Sequence, residues 1–492
     1  MTSRLARLAT AALLSLTLVV GVASTPAPAT LGEAVQRPDV RIPLSGVRAH
    51  LSAFQEIALR NGGNRGAGTA GYDASAGYVA RRMRAAGYRV RFQEFPFPFV
   101  LDRAPPVLRP MGAAGWRYRA DRDYATLAYS GSGRVEAEAV AVDLLVPSPR
   151  PNASTSGCEP ADFADFPRGA VALVQRGACT FRQKAANAIA VGASAIVVFN
   201  EGNEGRRDLF GGTLGAPQLR IPALAASFEV GDALRNGARA GPAGITVTLS
   251  ADMVAERRRT RNVIAESRAG NPSRTVVVGA HLDSVHRGPG INDNGSGSAM
   301  ILEVAEQLAR MRPANRVRFV WWGAEELGLF GSRHYVGRLS RPERRQIALY
   351  LNFDMVGSRN FVLFVYDGDG SSTARGRPPA GSAAIERVFT SYLAARGLAH
   401  RETSIGGGSD HAPFARAGIP VGGLFTGAEG RKTAAQAAAF GGRAGQPYDP
   451  CYHRACDTIA NVSDVALTRS ARAAAHAIAL FARDVSSVRR SR

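Results

Sequence analysis

Arg318–Gly331 reads RFVWWGAEELGLFG. Phe319 to Trp322 are bulky and apolar in succession, the pattern of a strand covered on both faces. Gly323 breaks the run, and two adjacent carboxylates, Glu325 and Glu326, stand where the strand stops. Taken alone, the pair reads as a solvated helix start, because acids are favoured near a helix N-terminus. At the edge of a buried sheet, however, neighbouring like charges cost free energy unless something cationic lies among them.

The same rhythm recurs on either side. Strand-like runs occur at RTVVVGA (274–280), RVRFVWW (316–322), IALYLNF (347–353) and IPVGGLF (419–425). Between the first two, Met300, Ile301, Val304 and Leu308 share one helical face. Near-continuous apolar strands alternating with helices predict an α/β fold, a mostly parallel mixed sheet with helices on both faces.

Each of the first three strands is followed at once by chemistry. His281 follows the first, Glu325 and Glu326 the second, and Asp354 the third; Asp293 lies in GPGINDNGSGSA (288–299). In open α/β sheets, ligands gather at the carboxyl ends of the strands. Singly, His281 could be a surface residue, Asp293 a turn residue before Asn-Gly, and Asp354 a helix cap. Together they form a cluster of acids around an imidazole, which repels itself unless cations intervene. Mixed His and carboxylate ligands suit Zn2+ or another first-row divalent ion. Asp283, two residues beyond His281, is either a turn residue or a brace that orients the imidazole. A second metal requires a second imidazole, from His286, His334, His400, His411, His453 or His476. His453 stands out in DPCYHRACD (449–457), where Cys451 and Cys456 flank it. His476 reads as helix packing, and His411 as site wall or loop brace.

The chain has 492 residues, 45% of them apolar, enough for two or three domains with their own cores. Its formal charge of +21 is nearly all arginine, with Lys184 and Lys432 the lysines. No basic block is interleaved with aromatics, so no nucleic-acid partner is expected. Arg4 and Arg7, the apolar run Leu8–Ala23 and the Ala-x-Ala at Ala27–Ala29 predict a signal peptide over 1–29 and a secreted, extracellular protein. An anchoring helix competes with that reading, but the run is short and nothing later is long enough to span a bilayer. Four cysteines allow three connectivities; the local pairs Cys158–Cys179 and Cys451–Cys456 are expected.

Residues 40–130 are read as the N-terminal part of the main domain. A helix lies around 50–63, a second spans Asp73–Ala86 with its cap at Tyr72–Asp73, and a strand follows in YRVRFQEF (88–95). Residues 102–129 are rich in proline and glycine and show no clear pattern. Residues 131–255 are short β-like runs joined by glycines, with one helix near Thr180–Val191 and no histidine, and are read as a separate non-catalytic domain. Residues 256–485 form the catalytic part, and 486–492 a fraying tail.

The motifs GAHLDSV (279–285), GINDNGSGSA (290–299), WWGAEELGLFGS (321–332), LNFDMVGS (351–358), GSDHAPF (408–414) and CYHRACDT (451–458) together resemble the secreted bacterial co-catalytic di-zinc aminopeptidases of the leucine-aminopeptidase type. Residues 50–88 match that family's N-terminal segment. Residues 157–200 resemble the protease-associated domain, which supports the Cys158–Cys179 bridge; such domains are commonly inserted in exported peptidases as lids or substrate guides. The resemblance implies two Zn2+ per chain. Asp293 would bridge them, His281 and Asp354 would hold one, and Glu326 and His453 the other. Glu325 would be the general base, and Tyr452 a donor to the oxyanion.

Three positions depart from the family pattern. Asn294 stands where the family often has Asp, and Gly408 where relatives with a single-domain catalytic chain often have Arg. Thr468 and Arg472 occupy positions where some relatives bind calcium, so no calcium is expected. The implied activity is removal of N-terminal, apolar residues from peptide or protein substrates by a monomer without a membrane anchor. Met355, Leu424 and Phe425 are candidates for the pocket around the first side chain, or simple core. A carboxypeptidase or a glutaminyl cyclase on the same fold is the alternative, and a non-catalytic binding protein another. A carboxypeptidase should supply a cationic clamp, which Gly408 does not; a binding protein should have broken ligands, and all five positions are intact.

Overall fold

The computed structural model describes residues 40–112, 115–239, 245–372 and 378–490, so the expected signal peptide at 1–29 lies outside the described residues. The chain opens with α1 (Leu44–Arg60), α2 (Ala70–Ala85) and β1 (Arg89–Pro110). A middle section follows, with β2 (Tyr124–Thr126), β3 (Gly133–Ala141), β4 (Val171–Gln175), α3 (Phe181–Ala190), β5 (Ala195–Phe199), β6 (Ala223–Ala226) and α4 (Phe228–Arg239). Then come β7 (Ile245–Glu266), β8 (Asn271–His281), α5 (Gly295–Leu308), β9 (Asn315–Trp322), α6 (Phe330–Arg338), α7 (Arg341–Gln346) and β10 (Ile347–Phe353). The last part holds β11 (Phe364–Tyr366), α8 (Ser382–Ala394), β12 (Arg401–Thr403), α9 (His411–Arg416), β13 (Val421–Phe425), α10 (Ala434–Phe440), α11 (Asp464–Arg483) and α12 (Ser486–Arg490).

The strands form one mixed sheet in the order β12-β11-β13-β10-β8-β9-β7-β3-β4-β5-β6-β2, with β1 paired to β7. Its parallel blocks are β13, β10, β8 and β9, then β3 to β6, and at one edge the short pair β11 and β12. The opening stretch shows why helices cover both faces. Successive strand residues point to opposite sides. Phe319 and Trp321 therefore join the core packed by α1, α2, α5, α8 and α11, while Val320 and Trp322 join the core packed by α6 and α9. Each such side chain stabilises the fold by about 1.5–3 kcal/mol through burial. The indole N–H groups are not stranded: Trp321 donates to the Ser298 carbonyl at 3.1 Å, and Trp322 to the Tyr350 hydroxyl at 2.9 Å.

Several local expectations shift. Helix α2 begins before Asp73, because the Thr69 hydroxyl accepts from the Tyr72 N–H and caps it there. The pattern-poor stretch from residue 102 turns out to continue β1 to Pro110, antiparallel to β7 from Arg89 opposite Glu266 to Pro110 opposite Val247. The register slips between Ala104 and Val107, around Pro105 and Pro106, which have no N–H to give the ladder. Strand β7 also passes residues 255 and 256 without a break, so the inserted and catalytic parts share it. At the C-terminal end, α12 is tied to the domain through Arg489, which donates to the carbonyls of Ser273 at 3.0 Å and Arg345 at 3.3 Å. Both disulfides, Cys158–Cys179 and Cys451–Cys456, form as expected. Among the described residues, no helix is long and apolar enough to cross a membrane.

Candidate active site

Strands β8, β9 and β10 are parallel and nearly in register, with His281 beside Trp322 and Gly279 beside Asn352. Their carboxyl ends therefore bring His281, Glu325, Glu326 and Asp354 to one edge. Asp293 reaches the same place from the loop before α5, across a cis peptide bond to Asn294. Asn294 fixes that loop from both ends of its amide. Its oxygen accepts from the Gly297 and Met355 N–H groups, and its nitrogen donates to the Phe353 carbonyl at 2.9 Å. An ionised Asp could not make that last bond. A Cβ at Gly297 would lie 2.3 Å from the Phe353 carbonyl oxygen, so only glycine lets α5 approach the end of β10 this closely.

The imidazoles divide the acids between them. His281 Nε2 lies 3.2 Å from Asp293 Oδ1 and 3.3 Å from Asp354 Oδ1. His453 Nε2 lies 3.1 Å from Asp293 Oδ2 and 3.0 Å from Glu326 Oε2. Tetrahedral N and O ligands about 2.0–2.1 Å from zinc are about 3.3 Å from each other, so these spacings fit donors around small ions. Glu325 stands further off, its Oε2 4.0 Å from His281 Nε2. Glu326 Oε1 is buried without a hydrogen-bond partner.

The electrostatics agree with a centre shaped for cations. Burial, then the neighbouring Asp354, Asp410 and Glu326, push Glu325 well above the usual carboxylate range, against the pull of His281. Burial and Asp293 push Glu326 up to about 7, with His453 opposing. Burial works against both imidazolium ions, but the acids prevail. Asp354, Glu325 and Asp293 hold His281 well above its ordinary value, and Asp293 and Glu326 raise His453 to about 10. Burial opposes ionisation of Asp293, yet both histidines hold it below the usual range. In the metal-free chain, protons sit where a metal would displace them.

The supporting residues are more numerous than the sequence suggests. His281 Nδ1 donates to the Asp283 carbonyl at 3.0 Å, while the Asp283 carboxylate is 3.9 Å away. That carboxylate instead accepts from the backbone N–H groups of Glu325 at 3.2 Å and Glu326 at 3.3 Å, so Asp283 orients all three residues. Ser409 donates to Asp354 Oδ2 at 2.6 Å. His411 is a loop brace, its Nε2 donating to the Gly406 carbonyl at 2.8 Å, and His476 packs on Tyr392. The Tyr452 ring stacks on His453 with centroids 3.8 Å apart, inside the Cys451–Cys456 loop. Of the pocket candidates, Leu424 belongs to the main apolar core, Phe425 stacks on Phe364, and Met355 is buried at a positive φ.

Two residues escaped the sequence reading. Arg65 is fully buried and donates to the carbonyls of Leu282, Pro289 (2.9 Å) and Gly290 (2.6 Å), clamping the loop that joins His281 to Asp293. Burial lowers its guanidinium to about 10, against the pull of Asp283, Asp457, Asp293 and Glu326, so it remains a fixed cation at neutral pH. Asp457 accepts from the N–H groups of Asn292 and Asp293, both at 2.9 Å. Neither announces this role locally, because the bonds that shape the site go to backbone groups of distant loops.

The chain matches the model of peptidase family M28 over residues 262–478 and that of the PA domain over residues 135–234. It is 48% identical over 425 residues to an aminopeptidase of Pseudomonas aeruginosa, covering 86% of this chain and 78% of that one. It is 41% identical over 460 residues to the probable lipoprotein aminopeptidase LpqL of Mycobacterium tuberculosis, covering 90% and 86%. Among solved structures it resembles the aminopeptidase of Aneurinibacillus sp. strain AM-1, with a TM-score of 0.66, 25% identity and coverage of 90% and 95%. It also resembles a zinc aminopeptidase from Bacillus subtilis, with a TM-score of 0.63, 26% identity and the same coverage. With strand-end histidine and acids spaced for small ions, the chain belongs to peptidase family M28 and is a zinc-dependent aminopeptidase carrying a PA domain.

Proposed function

We propose that this protein is exported and removes apolar N-terminal residues from peptides with two zinc ions. His281 and Asp354 would hold one ion, Glu326 and His453 the other, with Asp293 shared. The observation that carries this reading is Asp293, with one carboxylate oxygen 3.2 Å from His281 Nε2 and the other 3.1 Å from His453 Nε2. When bound, zinc supplies a Lewis acid and a water acidified towards neutral pH. Glu325, largely enclosed and set back from His281, takes the proton of the attacking water and delivers it to the departing amine. Tyr452, held against His453, donates its hydroxyl to the developing oxyanion. The acids Asp354 and Glu325 attract the substrate's α-ammonium, which makes a free N-terminus a requirement. Met355 and Phe425 would flank the first side chain. Export is supported by the arrangement of residues 1–29 and by two disulfides, which persist in oxidising compartments.

The test combines metal analysis with one variant. Purified protein is expected to hold two zinc ions, and Glu325→Gln to keep both while kcat falls about 10²–10⁴-fold. A single ion in the active enzyme, or an active Glu325→Gln, would overturn the scheme. Cleavage of N-blocked peptides from the C-terminus would point to the carboxypeptidase alternative instead.

A further inference from the structure

A cavity of about 830 Å³ lies between the metal centre and the inserted domain. It meets the centre at Glu326, His453 and Arg454, and its other walls include Leu101, Arg122 and Phe210. Under the function proposed above, the substrate amine sits by Asp354 and Glu325. The chain beyond the scissile bond must then leave on the Glu326–His453 side, into this cavity. Its volume falls within the range of small-ligand sites, about 300–1,000 Å³. An extended peptide advances about 3.3–3.6 Å per residue, so a leaving group of one or two residues is the natural occupant.

The charges on the walls are largely matched. Arg103 pairs with Asp252 at 3.5 Å, Arg122 with Asp123 at 2.6 Å, and Arg287 with Asp121 at 2.7 Å and Asp102 at 4.0 Å. Arg454 differs. Among the described residues it pairs with no carboxylate, and its side-chain hydrogen bond is to the Pro450 carbonyl at 3.3 Å. It follows His453 directly, inside the loop closed by Cys451–Cys456, so its backbone is held at the mouth of the cavity. A guanidinium presents paired N–H groups that match a carboxylate. Asp208 stands on a wall of the inserted domain and repels a carboxylate carried that far, which favours short chains.

We propose that this cavity receives the carboxyl-terminal part of very short substrates, and that Arg454 holds the free C-terminal carboxylate of di- and tripeptides. The proposal rests on the aminopeptidase reading above, and its test separates the two. The values of kcat/KM are measured for Leu-Gly and Leu-Gly-Gly, each as the free acid and as the C-terminal amide, with leucinamide as a control. The wild type is expected to prefer the acid about ten-fold or more at one of the two lengths, the scale of a hydrogen bond between charged groups. Arg454→Gln is expected to bring that ratio to about one, and Arg454→Lys to keep part of it, as a charge without the fork would. A wild-type ratio of one or less at both lengths overturns the proposal, as does an unchanged ratio in Arg454→Gln. Where Arg454→Gln loses zinc or its circular dichroism, Arg454→Lys decides alone: an undiminished ratio counts against the guanidinium. Failure of the wild type to cleave leucinamide would sink the aminopeptidase reading itself.

Discussion

Glu325 and Glu326 are adjacent, yet one is within 3.0 Å of an imidazole and the other 4.0 Å from its nearest one. The difference was half legible from sequence. Strand patterning located both carboxylates at the sheet edge, but only the fold shows that Asp283 holds their two N–H groups and so aims the side chains apart. The same residues set a pH dependence. In the metal-free folded chain Glu326 keeps its proton to about pH 7 and His453 to about pH 10, against ordinary values of 4.5 and 6.5. The folded state therefore holds more protons than the unfolded one across that window. Stability must fall as pH rises through it. A chelator-stripped sample is expected to lose Tm steadily between about pH 5 and pH 9, while zinc, which needs the deprotonated ligands, reverses the trend. Melting curves with and without chelator check this, and a Tm of stripped protein that climbs with pH would contradict it.

At the scale of elements, the site depends on two loops reaching parallel strand ends. Apolar runs and the residues directly behind them made β8, β9 and β10 readable, whereas the loop supports were not, because their bonds go to backbone atoms. Arg65 is the clearest case, a lone arginine among glycines whose three carbonyl acceptors lie in 282–290. Arg65→Gln cannot span them and is expected to weaken zinc binding about 10–100-fold, the usual penalty for losing a group that supports a ligand. Competition with a chromophoric chelator measures it, and unchanged affinity would show the loop to be self-supporting. Gly297→Ala is expected to be worse tolerated, since the added Cβ meets the Phe353 carbonyl and the Asn294 side chain at 2.3 and 2.4 Å. Low soluble yield or a Tm well below wild type would register it; a wild-type melt would mean that α5 can shift.

For the whole molecule, the long β1–β7 ribbon matters most. It stayed hidden because prolines at 105 and 106 mask its outer half, and a composition change near residue 255 suggests a boundary that β7 ignores. Two parts that share a 22-residue strand have no independent edge along which to separate. Calorimetry of the zinc-loaded protein is expected to give one cooperative transition. Two resolved peaks, one insensitive to zinc, would show that the insert melts alone.

The ribbon also says how such a molecule could have been assembled. Val100 on β1 lies opposite Ala255 on β7, and below that pair the two strands run on together to Arg89 and Glu266. A chain that turned directly from one to the other would be an ordinary β-hairpin at the edge of the catalytic sheet. The insert thus occupies the place of a hairpin loop, a point where a gene can gain or lose a module without disturbing the register beneath it. An ancestor lacking the middle section needs no new strand and no rearranged core, only a short turn in place of about 150 residues.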